Sequence, residues 1–235
     1  MSHEYESVFH AALYTDAFRV AAPSEPVVRH MRPRQPGVFI RAGATPPPVQ
    51  PGHDTPEPLP ASELVAPRER VAGQFGLVPR WVKSASDAKL RATKLVNARA
   101  ETLTTSNNFR EAWLAGQRCI VPMMAFWEDD WRSGKAVPTR IARVDGHPMG
   151  VAGLWERWQG ADGEVITSYA LLTVNANSHA LMHRYQPPGS EKRMPVILNE
   201  GAYDAWLHTR PEKAQEFMRA YAASKLTANP VEKKR

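Results

Sequence analysis

Residues 149–175, MGVAGLWERWQGADGEVITSYALLTVN, predict two β-strands joined by a tight turn. Both halves are rich in β-branched and aromatic residues, which suit the pleated and half-buried surface of a sheet. The segment GADGE between them contains an Asp-Gly pair, which is typical of a hairpin turn. Because hairpin strands run antiparallel, this stretch predicts an antiparallel sheet at the centre of the fold.

Further strands are expected on both sides of this hairpin. Each is a short apolar run bounded by turn residues, and DGH (145–147) supplies a second hairpin turn. The predicted strands are GVFIRAG (37–43), RVAGQFGLVPRW (70–81), RCIVPMMAFW (118–127), TRIARV (139–144) and RMPVIL (193–198). Strands that follow one another through hairpins form a largely antiparallel sheet.

Helices are predicted where apolar residues recur at helical spacing. The predicted helices are SVFHAALYTDAF (7–18), SNNFREAWLAGQ (106–117), NEGAYDAWLHT (199–209) and RPEKAQEFMRAYAASKL (210–226). The second has Ser106 or Asn107 as its N-cap and Gly116 at its end. The fold class is therefore α+β, a twisted and largely antiparallel sheet flanked by helices.

The chain is expected to form a single domain over residues 1–224. Residues 43–67 are too rich in proline for a strand ladder or a helix, and they are predicted to be a long surface loop. Too little chain precedes this segment to build a core of its own. Residues 225–235, which end in VEKKR, are predicted to be a basic, flexible tail.

The composition is that of an ordinary globular protein, with 43% hydrophobic and 23% charged residues. A single cysteine excludes an internal disulfide and favours a reducing compartment. The start, MSHEYESVFHAALYTD, does not resemble a signal peptide, and no run approaches the roughly 20 apolar residues of a membrane span. A cytoplasmic protein is expected, associated with the nucleoid if it is bacterial. The formal charge of +6 favours nucleic acid as a partner only weakly.

The segment QRCIVPMMAFWEDDW (117–131) holds the only cysteine and the densest acidic cluster. Cys119 has no histidine nearby in sequence and is predicted to be a small buried core residue. Adjacent acids on a strand alternate between its faces, so the cluster is not expected to bind a metal, and no cofactor is predicted. Glu128 directly follows a buried strand, where its pKa would be raised and it could act as a general acid or base.

Two further polar groups are candidates for a binding or catalytic site. Asn97 and Arg99 lie two apart on an extended segment and face one side, where an amide and a guanidinium can clamp a phosphate or a carboxylate. A capping asparagine and a surface arginine would give the same pattern. His179 and His183 are four apart and would share one helical face, although a lone histidine is more often structural than catalytic.

Eight short segments, taken in chain order, resemble the SRAP family, the SOS response-associated peptidases. They are FGLVPRW, NARAET, FREAW, GQRCIVP, FWE, GVAGLWERW, LLTVNAN and RMPVIL. The resemblance covers about residues 70–208. Members of that family sense abasic sites in single-stranded DNA. The resemblance therefore implies single-stranded DNA with abasic sites as the partner, a barrel-like core and a monomeric protein without a cofactor or a membrane association.

In that family the initiator methionine is removed and a cysteine becomes the N-terminus. Its α-amine forms an imine with the sugar aldehyde, and its thiol then closes a stable thiazolidine. An α-amine with a pKa of about 8 is partly neutral at pH 7 and is a competent nucleophile. This chain has Ser2 instead of the cysteine. Because a hydroxyl is a poorer nucleophile than a thiol, we expect a transient imine or strand cleavage, with weak or absent stable crosslinking.

The resemblance also implies roles for residues elsewhere in the chain. Asn97 matches the asparagine that orients the N-terminal residue, and Glu128 matches the glutamate that manages proton transfer at the amine. His183 matches the histidine that protonates the opening sugar, with His179 as the alternative because residues 184–192 separate His183 from the RMP motif. The residues that match the DNA groove are Arg99, Arg110, Arg193, Phe75 and Trp81, and the two aromatic rings would support unstacked nucleotides.

Two functions from different classes follow. The first is an abasic-site processing enzyme with lyase or peptidase-like chemistry, in which Ser2, Asn97, Glu128 and His183 are catalytic. The alternative is a non-covalent protein that binds and shields single-stranded DNA and has lost the covalent chemistry with the cysteine. Loss of the thiol favours the second, whereas retention of Asn97 and Glu128 favours the first. Autopeptidase activity, which the family name suggests, is not supported by a Ser-His-Asp signature in this sequence.

Overall fold

The computed structural model describes residues 3–44 and 67–231. These residues form twelve strands of one sheet: β1 (Tyr5–Ser7), β2 (His30–Met31), β3 (Pro36–Ala42), β4 (Arg68–Phe75), β5 (Asn97–Arg99), β6 (Arg118–Asp130), β7 (Val137–Arg143), β8 (Met149–Gln159), β9 (Val165–Asn175), β10 (Arg193–Pro195), β11 (Ile197–Leu198) and β12 (Leu226–Pro230). The α-helices in the described part are α1 (Ala11–Phe18), α2 (Ala85–Lys94), α3 (Arg110–Leu114), α4 (Tyr203–His208) and α5 (Pro211–Ala214).

Five strands close into a barrel. β8 pairs with β9, β9 with β4, β4 with β3, β3 with β6, and β6 returns to β8. Every pair in this ring is antiparallel except β4–β9, and β5 adds a second parallel partner to β9. The α+β class and the largely antiparallel, barrel-like sheet are therefore confirmed.

The hairpin at residues 149–175 is confirmed, and the second predicted hairpin is wrong. Gln159 of β8 lies opposite Val165 of β9, and the amide of Gly160 donates to the Glu164 carbonyl at 2.7 Å. In contrast, DGH connects β7 to β8, which pair with different halves of β6. The reason is the length of β6, which has 13 residues and therefore has room for two partners along one edge.

Aromatic rings fill the barrel. Phe75 and Tyr169 stack with ring centroids 5.6 Å apart, and Tyr5 meets Phe75 edge to face at 5.1 Å. The hydroxyl groups of Tyr5 and Tyr169 share a buried hydrogen bond of 2.5 Å, and burial raises the pKa of both phenols. Cys119 is also completely buried, which confirms the prediction that it is a core residue.

Two of the predicted helices differ in the structure. α3 begins after Phe109, whereas Ser106 turns the preceding chain by accepting the amide of Asn108 on its hydroxyl at 3.3 Å. Gly116 ends this helix with φ +69, as expected. The helix predicted over 210–226 is only α5 and two separate 3-10 turns, Gln215–Phe217 and Ala223–Lys225, because Met218 leaves the helical region with ψ 74.

The predicted tail is wrong for its first residues. β12 pairs along the whole of β7, from Leu226 opposite Arg143 to Pro230 opposite Thr139. An open strand edge is a template for a further strand, and β12 covers it. The predicted loop at 43–67 lies almost entirely outside the described residues, but its two ends meet, because the amide of Gly43 donates to the Pro67 carbonyl at 2.9 Å. None of the helices in the described part has the length and apolar composition that crossing a bilayer requires.

Candidate functional site

An open cleft of about 550 Å³ lies at the far end of β6. Its walls come from the start of the chain, from β2, from β6 and from the segment that precedes β10. The lining residues are His3, Glu4, His30, Trp127, Glu128, Asp129, Trp131, Pro138, Gln186, Pro187 and Val231. β1 runs antiparallel to β6 with Tyr5 opposite Phe126, so the residues that precede β1 run towards Glu128.

Glu128 is the most buried acid of the cleft. It lies near the end of β6, opposite Thr139 of β7, and only 4% of it is exposed. The neighbouring Asp129 is half-buried, whereas Asp130 forms an ion pair with Arg132 at 2.6 Å. The hydrogen bond from Arg132 lowers the pKa of Asp130. The acidic cluster is therefore divided, and Glu128 is the member that strand pairing encloses beside the cleft.

Two histidines of the cleft were not singled out from the sequence. The His30 ring stacks on Trp127 with centroids 4.2 Å apart and an angle of 14° between the planes, and its Nε2 is hydrogen-bonded to Glu4. His3 lines the cleft beside them, and burial lowers its pKa. Nothing in the spacing of these residues indicates that they meet, because the contacts depend on the pairing of β2 with β1 and of β1 with β6.

Gln186 connects the cleft to β10. Its backbone lies in the left-handed region with φ +70, and its amide donates to the Asp129 carbonyl at 2.9 Å. Its side chain bonds both main-chain groups of Arg193: Nε2 donates to the carbonyl at 2.6 Å, and Oε1 accepts from the amide at 3.1 Å. The carboxamide therefore holds two segments together, and it cannot exchange protons as an imidazole can.

Beyond Gln186, the guanidinium of Arg193 is enclosed by acceptors. It donates to Glu101 at 2.7 Å, to Glu191 at 2.8 Å and to the Thr173 carbonyl at 2.7 Å. The side chain is only 8% exposed. Glu191 also pairs with Arg99, whose side chain is 52% exposed. The two arginines thus share one carboxylate but lie in different environments, one enclosed and one open to solvent.

The sequence matches the family described as SOS response associated peptidase (SRAP) over residues 21–234. The chain belongs to this family.

Relatives with curated names agree with the assignment to SRAP. The chain is 33% identical over 162 residues to abasic site processing protein YoqW of Bacillus subtilis, covering 67% of each protein. It is 26% identical over 179 residues to abasic site processing protein HMCES of Gallus gallus, covering 67% of this chain and 51% of that protein.

Solved structures share the architecture of this chain. A protein from Bordetella bronchiseptica superposes with a TM-score of 0.83 at 38% identity, covering 98% of this chain and all of the other. A protein from Bacteroides thetaiotaomicron superposes with a TM-score of 0.75 at 20% identity and covers 98% of this chain, a likeness of fold alone.

The histidines predicted from the SRAP resemblance do not line the cleft. Nε2 of His179 donates to the Tyr221 carbonyl at 2.7 Å, and its Nδ1 accepts from two backbone amides, so both ring nitrogens are engaged and the residue is structural. His183 is exposed, and its Nδ1 donates to the His179 carbonyl at 2.8 Å. Among the described lining residues, the representatives of this segment are Gln186 and Pro187.

The residues predicted for a DNA groove are dispersed. Arg110 is exposed at the start of α3. Trp81 is 40% exposed, its indole donates to the Asn107 carbonyl at 3.0 Å, and the Arg91 guanidinium lies 4.7 Å over its ring. The role predicted for Phe75 is wrong, because its side chain is fully buried inside the barrel and has no face left for a nucleotide.

The remaining two predicted residues lie at different places. Asn97 is half-buried on β5, opposite Leu171 of β9, and is not among the described residues that line the cleft. Ser2 lies outside the described residues. The two residues that follow it, His3 and Glu4, are in the cleft.

Proposed function

We propose that this SRAP chain processes abasic sites in single-stranded DNA, by forming an imine between the α-amine of Ser2 and the aldehyde of the opened sugar. The observation that carries the proposal is the lining of the cleft, in which His3 and Glu4, next to Ser2 in the chain, share a wall with Glu128. The similarity to proteins named abasic site processing protein supports the same substrate. The proposal requires removal of Met1, which would otherwise block the amine.

The reaction uses no group beyond the two reactants and water. The neutral amine attacks C1′ of the aldehyde, the C1′–N bond forms, and the π electron pair of the carbonyl moves to oxygen. Two protons leave the nitrogen and two reach the oxygen, one as the carbinolamine forms and one as it dehydrates, so that the oxygen departs as water and the imine remains. Glu128 is a suitable group to take a proton at this point, because a carboxylate enclosed by strands is held in place without reorganisation.

Because residue 2 is a serine, the imine is either the last intermediate on the protein or the intermediate from which two further reactions can start. Its hydroxyl can add to the imine only to give an oxazolidine, which reopens readily. Loss of a proton from C2′ with departure of the 3′-phosphate would cut the strand instead. We therefore propose reversible imine chemistry with lyase activity, rather than a durable crosslink.

The path of the DNA strand follows from charge and exposure. Arg99 and Arg110 are exposed cations suited to phosphates, and Trp81 offers exposed aromatic surface to a base. We assign Arg193 to the support of this surface, because its donors are already used by Glu101, Glu191 and Thr173. Asn97 stays a proposed orienting residue for the N-terminus.

The test is a trapping assay with a single-stranded oligonucleotide that carries one abasic site. We expect a covalent adduct on a denaturing gel with borohydride, which reduces an imine to a stable amine, and none that survives heating without it. Intact mass before the reaction checks that Met1 has been removed. The absence of any adduct with borohydride would overturn the proposal, and a heat-stable adduct without reductant would overturn the predicted role of serine.

Glu128 has a matched control next to it on β6. Glu128→Gln keeps the size and hydrogen-bonding capacity of the side chain but removes its ability to take a proton, so the trapping rate should fall about 100-fold or more. Asp129→Asn makes the same chemical change one residue along, on a less buried side chain. Equal rates for the two variants would contradict the assignment of Glu128.

One observation favours the alternative function, a non-covalent DNA-shielding protein. The segment that was expected to supply the sugar-protonating histidine supplies Gln186 to the cleft, and a carboxamide does not transfer protons. A shift of the abasic oligonucleotide on a native gel, together with no trapping by borohydride, would support this second function.

A further inference from the structure

The cleft contains an ordered histidine for which the resemblance implied no role. His30 is held between Glu4, which accepts from its Nε2, and Trp127, on which its ring lies parallel at 4.2 Å. Glu4 is in turn paired with Arg32 at 3.3 Å. Two contacts from distant places in the chain thus fix this imidazole at the wall that Glu128 shares, and Arg32 holds the carboxylate of one of them.

These contacts also determine which ring nitrogen of His30 can accept a proton from a molecule in the cleft. An ionised carboxylate only accepts hydrogen bonds, so the neutral tautomer that fits this contact has its hydrogen on Nε2 of His30 and its lone pair on Nδ1. Nδ1 has no hydrogen-bond partner among the residues that the structure describes. The side chain is 44% exposed. A basic nitrogen of fixed orientation is therefore available to a molecule in the cleft.

We infer that His30 is a catalytic proton-transfer residue of the cleft, with Glu4 as its positioning residue. The inference rests on the proposed function, and it makes His30 the proton-transferring histidine of the cleft, whereas the resemblance predicted that a histidine at position 183 protonates the opening sugar. His183 lies outside the cleft, and His179 has both nitrogens engaged.

The step is a proton relay during imine formation. When the C1′–N bond forms, the nitrogen becomes positively charged and the C1′ oxygen negatively charged. Nδ1 of His30 takes a proton from the nitrogen, and the ring then gives it to the oxygen, which yields the neutral carbinolamine. His30 ends in its starting state and no co-reactant is consumed. Glu4 keeps its bond to Nε2 throughout and stabilises the transient positive charge on the ring.

The experiment measures the rate of borohydride trapping on the abasic oligonucleotide with the full chain. His30→Gln keeps a polar side chain but cannot relay a proton, and we expect its rate to fall about 100-fold. His30→Ala leaves a flat space over Trp127, so added imidazole should restore part of the rate, which it would not do for a purely structural residue. His147→Gln, in the exposed turn between β7 and β8, serves as the unrelated control. Thermal unfolding of each variant checks that the fold is kept.

The outcomes separate the inference from the proposed function. A wild-type adduct that forms at the same rate in His30→Gln would overturn the inference and leave the proposed function standing. A slow His183→Gln variant with a normal His30→Gln variant would do the same and would return the role to His183. No adduct with the wild-type chain would overturn both. A slow His30→Gln variant together with imidazole rescue of His30→Ala would establish the relay.

Discussion

Replacing Arg193 by alanine should destabilise the protein far more than replacing Arg99, although both arginines were predicted to contact DNA and both pair with Glu191. The side chain of Arg193 is 8% exposed, whereas that of Arg99 is 52% exposed. The two variants should differ in stability because only the truncation of Arg193 leaves buried acceptors without a donor.

Truncation of Arg193 leaves a buried acceptor without its donor. Thr173 is 1% exposed, and its carbonyl and hydroxyl oxygens accept from Arg193 at 2.7 and 3.1 Å. A buried polar group that loses its partner costs about 1–3 kcal/mol. Glu101 loses a bidentate ion pair, but its side chain is 47% exposed and water replaces much of that interaction. With the packing of the buried stem, the free energy of unfolding should fall by about 3 kcal/mol.

Urea unfolding at pH 7 measures this difference directly. For a chain of this size, about 3 kcal/mol corresponds to a fall in melting temperature of about 6–12 °C. Arg99→Ala should cost less than about 1 kcal/mol, as exposed ion pairs do. If Arg193→Ala unfolds within 1 kcal/mol of Arg99→Ala, then the enclosed guanidinium is not a structural element of this surface and the reasoning fails.

Further predictions concern acid stability, backbone strain and the buried thiol. Hydrogen bonds, of which the one from Asn175 has the largest effect, lower the pKa of Glu191 to about 2. The ionised carboxylate therefore stabilises the fold above its unfolded pKa of about 4.3, and this stabilisation is lost as the pH falls towards 2. The urea midpoint should decline over this pH window, and it should decline less in Glu191→Gln. Gly76→Ala should cost more than about 3 kcal/mol in urea unfolding, because φ is +107 and the new Cβ would lie 1.9 Å from the carbonyl oxygen of Ala92 in α2. Gly134→Ala, with φ +78 and open space, should cost about 1 kcal/mol, and equal costs would contradict the steric argument. Cys119 should not react with a thiol reagent at pH 8 until the protein unfolds, because burial raises its pKa well above the usual value and denies access; rapid labelling of the native protein would show that the core opens there.

The strands of the barrel could be predicted because their signals are local. Alternation, β-branching and the GADGE turn all lie within residues 149–175, and the structure pairs β8 with β9 as that stretch indicates. Cys119 is buried, and Glu128 is more buried than the two acids that follow it, because both residues lie on one apolar strand. The predictions that failed concern pairings that another strand of the sheet determines. DGH does not close a hairpin, because β6 is long enough to pair with both β7 and β8.

The candidate site likewise contains one residue that a local sequence signal indicates and others that only distant contacts bring together. Glu128 could be singled out from its own strand, but nothing near His30 in sequence indicates that its ring stacks on Trp127 and bonds Glu4. Likewise, the segment after His183 contains several polar residues, and only the pairing of Gln186 with Asp129 decides which one enters the cleft.

The sequence by itself determined the class of the fold, the antiparallel sheet and the family, because these depend on periodicity and on motifs read along the chain. The tertiary structure alone decided which histidines line the cleft with Glu128, that Phe75 belongs to the core, and that Arg193 is enclosed whereas Arg99 is open. The physical reason is that pairing between distant strands sets these contacts, and the register of such pairs leaves no local pattern in either strand.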